Sequence, residues 1–286
     1  MMKQALFYEK IENDKVHCSL CPHNCVIKPG NAGACRARKN IGGELYSLNY
    51  ARIASLALDH IEKKPLYRFQ PGSMILSAGT FGCNLKCSFC QNWSIAQMDA
   101  DTVEMLPEQL ADKAVEAKKS GNIGIAYTYN EPSIWYEYVY ECAVLANKRG
   151  LSNVLVTNGF INEEPLVKLL PFIDALNIDV KAFTAGFYNE ICKATLDNVK
   201  RTVEIAAPKC HVEVTTLVIP GLNDSVKEIG ELSAWLASIS TKIPLHLTRF
   251  FPNYRMTDRP PTPLQVLSNA REKALEHLEH VYIGNV

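Results

Sequence analysis

From residue 73 onward the chain alternates short apolar runs with longer stretches in which apolar residues recur every three to four positions. The runs at 74–78, 123–128, 153–157, 175–180, 211–218 and 244–250 predict strands, because a strand covered on both faces reads as a continuous hydrophobic run. The stretches at 107–120, 132–149, 164–170, 196–207, 225–239 and 264–278 predict helices. Pro107 and Pro132 stand where a helix opens, and Gly121 and Gly150 where one closes. Val281-Tyr282-Ile283 offers one more short apolar run. Strands joined by helical crossovers make a parallel sheet. Six such units are too few to close an eight-fold barrel, so the pattern predicts an α/β fold: an open, partial (β/α)6 TIM-like barrel over residues 73–286.

Residues 1–72 do not share this rhythm and predict an N-terminal cysteine-rich, metal-binding extension with a connector. Within it, 45–57 suits a short hairpin. Lys63-Lys64-Pro65-Leu66-Tyr67-Arg68-Phe69 then leads through Pro71-Gly72 into the first barrel strand.

Composition narrows the function. Of 286 residues 47% are hydrophobic, enough for a full core, and 30 basic residues balance 30 acidic ones. With no basic stripe or acidic tail, nucleic acid and membrane surfaces are not expected partners. The N-terminal stretch lacks an apolar signal-peptide core, and no apolar run reaches the roughly 18 residues of a membrane span; a cytoplasmic location is expected. Ten cysteines in such a chain read as metal ligands plus a few core thiols. Seven fall into two tight groups, and Cys142, Cys192 and Cys210 are expected to be structural, as free thiols behave like small hydrophobes.

The first group, Cys18, Cys21, Cys25 and Cys35, has the spacing C-x2-C-x3-C-x9-C among Gly and Pro. So few apolar residues cannot build a core, and a metal would hold the knuckle together. Four thiolates suit tetrahedral zinc; an iron–sulfur centre or free thiols fit the spacing too. His17 and His23 read as loop residues. The second group, Cys83, Cys87 and Cys90, follows the first barrel strand as C-x3-C-x2-C. Three thiolates suit a 4Fe–4S cube held at three corners, with the fourth iron open. A structural zinc would want a fourth ligand.

In barrel-like α/β folds functional side chains gather at the C-terminal strand ends. Asn130 and Glu131 stand on the turn into a helix, where a carboxylate is also favoured by the helix dipole alone. Thr157-Asn158-Gly159 is by itself an ordinary turn. Asn177, Asp179 and Lys181 alternate with Leu176, Ile178 and Val180, so period two puts all three on one face. The Asp179–Lys181 pair there is either a wall-building ion pair or part of a site. His246 and Thr248 share a face, and a strand histidine is commonly a satisfied core residue.

The Cys83–Cys90 loop, with Phe89 before the last cysteine, resembles the signature of radical S-adenosylmethionine (SAM) enzymes. The knuckle, Lys64-Pro65-Leu66-Tyr67, Thr128-Tyr129-Asn130-Glu131-Pro132, Asp179-Val180-Lys181 and Arg249-Phe250-Phe251-Pro252-Asn253-Tyr254 resemble the radical SAM protein of the AmmeMemoRadiSam system, near the activating enzymes of glycyl radical enzymes. The resemblance implies a 4Fe–4S cluster on Cys83, Cys87 and Cys90, and SAM chelating its open iron. Asn130, Glu131, Thr157, Asn158, Asp179, Lys181 and His246 would surround SAM, with Glu131 at its amino group and Asp179 and Lys181 in catalytic positions. Reductive cleavage would need a low-potential donor such as flavodoxin or ferredoxin, and other proteins of that system are implied partners. Val156, Thr215 and Tyr254 stand where the activating enzymes carry Asp, Arg and His, which leans the substrate away from a glycyl radical enzyme. A non-catalytic metal-binding partner protein is the reading from another class.

Overall fold

The computed structural model describes residues 2–286. Eight strands form the main sheet: β1 Ser55–His60, β2 Met74–Gly79, β3 Asn122–Tyr127, β4 Ser152–Thr157, β5 Ala175–Asp179, β6 His211–Val218, β7 Leu245–Arg249 and β8 Val281–Gly284. Their order across the sheet follows the chain. β2 to β8 run parallel, each in register with the next. The crossovers carry α1 Pro107–Glu116, α2 Tyr136–Lys148, α3 Glu163–Leu169, α4 Leu196–Ala206, α5 Val226–Ile239 and α6 Leu264–Leu275. Residues of six of these strands line one cavity, so the sheet curls, while β1 and β8 remain its two unjoined ends. The α/β alternation and the open wall match the expectation from the apolar runs; the run at 281–283 forms β8, and β1 is the one strand added, ahead of β2.

The expected hairpin at 45–57 does not form. Glu44–Ser47 pairs with Arg38–Ile41 and Lys3–Gln4, Arg52–Ile53 pairs with Val103–Glu104, and Ser55–His60 is β1, antiparallel on β2. The reason is β2's outer edge: its unpaired N–H and C=O groups are a template for any nearby extended segment. A strand of the main sheet thus lies on the N-terminal side of the boundary expected near residue 72. A second small sheet, Tyr8–Ile11, Lys15–Cys18 and Val26–Ile27, carries the first cysteines. The N-terminal region is fastened to α2 through Glu137, buried with Arg38; their charges meet, and Glu137 also accepts from Leu6 N at 2.8 Å.

The segment 61–69 closes the N-terminal end of the curled sheet. Ile61 and Leu66 pack on Ile75, Ala126, Val154 and Ala175 from four strands. Polar groups on the concave face then grip its backbone. Asn177 donates to Pro65 O at 2.7 Å and accepts from Thr215 Oγ1 at 2.9 Å. Glu213, with no solvent exposure, accepts from Tyr67 N (3.1 Å), Arg68 N (2.7 Å), His211 Nε2 (2.9 Å) and His246 Nε2 (2.6 Å). Burial pushes its pKa up, but the bonds from His211, His246, Arg68 and Tyr67 win and hold it at about 2 against an ordinary 4.5.

A carboxyl depressed on folding contributes stability above its unfolded pKa and loses it as pH falls through the folded one. The step from 4.5 to about 2 corresponds to about 3 kcal/mol. Glu213→Gln should remove that acid-dependent part: in denaturant titrations at pH 7, 4.5 and 2.5, stability should fall less steeply on acidification for the variant than for the parent. Parallel pH curves would show that this carboxylate does not hold the segment.

Candidate functional site

Cys83, Cys87 and Cys90 lie on the loop leaving β2 and line a cavity of about 690 Å³ at the C-terminal ends of the strands. The loop is irregular, so side chains from neighbouring strand ends supply its order. Asn130, after β3, accepts from Thr80 N at 3.1 Å and donates to Gly82 O at 2.9 Å. Asn158, after β4, donates to Asn84 Oδ1 (2.9 Å) and to Cys83 Sγ (3.7 Å). Asn92 donates to Tyr129 O at 2.6 Å, and Lys86 N to Cys192 O at 2.9 Å. Asn130 and Asn158, expected near a bound ligand, therefore also clamp the loop.

All three thiols are held above their ordinary pKa. For Cys83 and Cys90 burial is the main cause; for Cys87 it is a hydrogen bond with Cys192, then burial. Neighbouring thiols add to the effect at each. Three desolvated sulfurs facing one cavity form a donor set that a positively charged iron centre would hold as thiolates, and here the residues fit the cluster that the spacing implies. Among the described residues no three His, Cys, Asp or Glu side chains converge on one point as around a single ion. Cys192, expected to be a scattered core thiol, is brought to Cys87 by a π-helical turn at Tyr188–Cys192.

Glu131 is buried on the same cavity wall. One oxygen accepts from Ser133 N at 2.9 Å and Thr157 Oγ1 at 2.7 Å, the other from Asn158 N at 2.8 Å. Burial raises its pKa against these bonds. The carboxylate thus caps the turn at Pro132–Trp135 and ties the ends of β3 and β4 together, the role its position at a helix start suggested. Of roughly four lone-pair sites on a carboxylate, these donors fill three.

Asp179 and Lys181 pair at 2.9 Å, and both line the cavity. Burial opposes the charge on Lys181, yet Asp179, Cys87 and Cys192 outweigh it and raise its pKa. The Asp179 side chain is 34% exposed, more open to the cavity than a sealed wall pair. His246 lines the cavity too, but its Nε2 is committed to Glu213 and its ring packs on Tyr67 and Tyr282. A further polar group lay outside the sequence reading: Asp59, Lys64 and Tyr129 meet on the same cavity. Lys63-Lys64 carries no sequence signal of burial, and β1 lacks the apolar run of a covered strand.

Cys18, Cys21, Cys25 and Cys35 surround a second, closed space of about 20 Å³, with Leu20, Ile27 and Arg38. Arg38 donates to Cys18 Sγ at 3.6 Å. The knuckle touches the cysteine loop directly. His23 Nε2 bonds Asn84 O at 2.7 Å, and Gly82, at φ +88°, leaves no room for a side chain because an added Cβ would stand 2.7 Å from Cys35 O.

Residues 78–233 match the Radical SAM superfamily. The uncharacterized protein MJ0808 of Methanocaldococcus jannaschii is 44% identical over all of this chain and 86% of its own length. The pyruvate formate-lyase-activating enzyme of Clostridium pasteurianum is 26% identical over 55% of this chain and 67% of its own. Among solved structures, Streptococcus suis SuiB bound to S-adenosylmethionine superposes with a TM-score of 0.58 at 13% identity, over 73% of this chain and 51% of SuiB. Methylornithine synthase superposes with a TM-score of 0.52 at 13% identity, over 76% and 73%. No helix among the described residues is long and apolar enough to cross a membrane.

Gly82→Ala combines a disfavoured positive φ with a clash against Cys35 O. It should push the knuckle and loop apart, lower the melting temperature and cost most of the iron taken up on anaerobic reconstitution. Gly186→Ala, with nothing within 4 Å of the added carbon, is the control. Iron uptake equal to the parent's in Gly82→Ala would mean that the contact does not seat the loop.

Proposed function

The chain belongs to the radical SAM superfamily, and on that premise we propose that it is an enzyme of the AmmeMemoRadiSam type that cleaves SAM reductively and abstracts a hydrogen atom from a substrate other than a glycyl radical enzyme. The observation that carries this reading is the convergence of Cys83, Cys87, Cys90, Glu131, Asp179 and Lys181 on one cavity. A 4Fe–4S cluster held there with SAM would supply radical chemistry for hydrogen abstraction, given an electron from a flavodoxin- or ferredoxin-type donor. Cys83, Cys87 and Cys90 would hold the iron, and the side chains of Asn130 and Asn158 brace the loop that carries them. Glu131 offers its remaining acceptor site to the SAM amino group, while Thr157 and the Asn158 amide keep that carboxylate aimed. Lys181 fixes one oxygen of Asp179 and leaves the other for a donor on the ligand. His246 supports the cavity floor through Glu213. Segment 61–69 shuts the N-terminal end, which keeps water from that side of a reactive radical.

The substrate lean rests on Val156 and Thr215. Both line the cavity, and Thr215 spends its hydroxyl on Asn177. The knuckle we read as a structural zinc site: Cys18, Cys21, Cys25 and Cys35 line one small space and tetrahedral zinc takes four thiolates, while their side chains do not already stand at single-ion geometry.

Two experiments test these readings. An anaerobically reconstituted protein given dithionite and SAM should form 5′-deoxyadenosine, and Cys83→Ala should abolish it; the same preparation should hold about four irons and one zinc. Product formation by Cys83→Ala would sink the cluster assignment, and eight irons without zinc would sink the single-ion knuckle. Asp179→Asn should stay folded and cluster-loaded but turn over at least roughly tenfold more slowly, a barrier change of about 1.4 kcal/mol. Unchanged turnover would make the pair part of the wall only.

A further inference from the structure

Three cysteines lie outside the two groups, and the fold treats them differently. Cys142 meets Tyr138, and Cys210 meets Ala206 O, while Cys192 meets Cys87 of the cysteine loop. Three further contacts fix Cys192 there. Phe187 packs on Phe89 with ring centres 5.9 Å apart. Lys86 N donates to Cys192 O at 2.9 Å. The Tyr188 hydroxyl accepts from Lys181 N at 3.0 Å, tying the turn to the residues that leave β5. The turn over Tyr188–Cys192 is π-helical and ends at Lys193, held at φ +58°. Such turns occur mostly singly and often at functional sites.

Cys192 has no solvent exposure and Cys87 has 7%, so water scarcely competes for the hydrogen bond between them. As free thiols, either sulfur can donate. A cysteine that holds metal does so as a thiolate and has no proton to give. With Cys87 on iron, the bond runs one way only, from the Cys192 S–H to the Cys87 sulfur. The other two sulfurs of the loop have amide donors. Leu85 N reaches Cys83 Sγ at 3.4 Å and Asn158 Nδ2 reaches it at 3.7 Å, and the Asn92 backbone bonds Cys90. At Cys87 a thiol fills that place. Hydrogen bonds to the sulfurs help set the reduction potential of an iron–sulfur cluster, because a donor eases the extra negative charge that reduction brings. Resting on the cluster proposed at Cys83, Cys87 and Cys90, we propose that Cys192 is a positioning residue for electron uptake: its S–H donates to the Cys87 thiolate and raises the potential of the cluster. The electron comes from the external low-potential protein, and the thiol keeps its proton. Lys181 also lies by Cys87, and its charge is present in every variant below.

The experiment is a redox titration of the anaerobically reconstituted protein without SAM, followed by the EPR signal of the reduced cluster. The parent is compared with Cys192→Ala, Cys192→Val and Cys192→Ser. Ala and Val both remove the donor, one leaving a gap and the other filling it, whereas Ser keeps a hydroxyl donor. Cys192→Ala and Cys192→Val should hold as much iron as the parent. Their reduction equilibrium should fall at least about threefold, a potential about 28 mV lower at 59 mV per tenfold step of a one-electron couple. Cys192→Ser should stay near the parent. Equal or higher potentials in Cys192→Ala and Cys192→Val overturn the inference. So does a fall that Cys192→Ser shares, since that follows packing and not the donor. Iron lost from all three variants would make Cys192 a ligand or a brace of the loop and overturns it too. Each of these outcomes leaves the superfamily chemistry intact. A parent with no reducible cluster overturns the proposed function, and the inference with it.

Discussion

A carboxylate cut off from water must find its donors inside the chain, and three such groups hold the irregular parts of this molecule. Glu137 accepts from Leu6 N and meets Arg38, tying the N-terminal sheets to α2. Glu131 accepts from Ser133 N, Asn158 N and Thr157, joining the ends of β3 and β4. Glu213 takes two backbone amides of segment 61–69 together with two histidines. Each binds backbone that no helix or strand ladder satisfies. The regular sheet needs no such help, because its ladders already pair its polar groups.

This division bears on the chemistry. Here Asn130, Asn158 and Asn92 fasten the loop to neighbouring strand ends through amide groups. Preorganised ligands lower the ordering cost of metal binding. Asn92 also fixes Tyr129 O and the Asn158 backbone amide holds Glu131, so both stand in fixed relation to the loop.

The sheet could be read from the chain because its strands are covered on both faces: runs such as those at 153–157 and 211–218 carry their burial in their composition. β1 was not legible for the opposite reason. Ser55–His60 sits on an edge with most side chains half-buried or exposed, so no apolar run marks it, and its partner β2 lies beyond an intervening segment. The three cysteines of the loop and the polar face of β5 announced themselves by spacing and period. Their neighbours did not. Lys64 sits next to an exposed Lys63 and looks like a solvated surface residue. Cys192 looks like a core thiol until a π-helical turn places it at Cys87. Which donors a buried oxygen finds is decided by tertiary placement, and the sequence shows the oxygen but not the placement.

The knuckle and the cluster loop are then best seen as one body. Gly82 has room only for a hydrogen because Cys35 O lies against it, and His23 holds Asn84 O, one residue past Cys83. A metal at the site proposed on Cys18, Cys21, Cys25 and Cys35 would sit beside backbone in direct contact with the residues flanking Cys83. Interiors this closely packed transmit a shift instead of absorbing it. An extension that in sequence looks like an appended module is, in the fold, one wall of the loop that carries Cys83, Cys87 and Cys90.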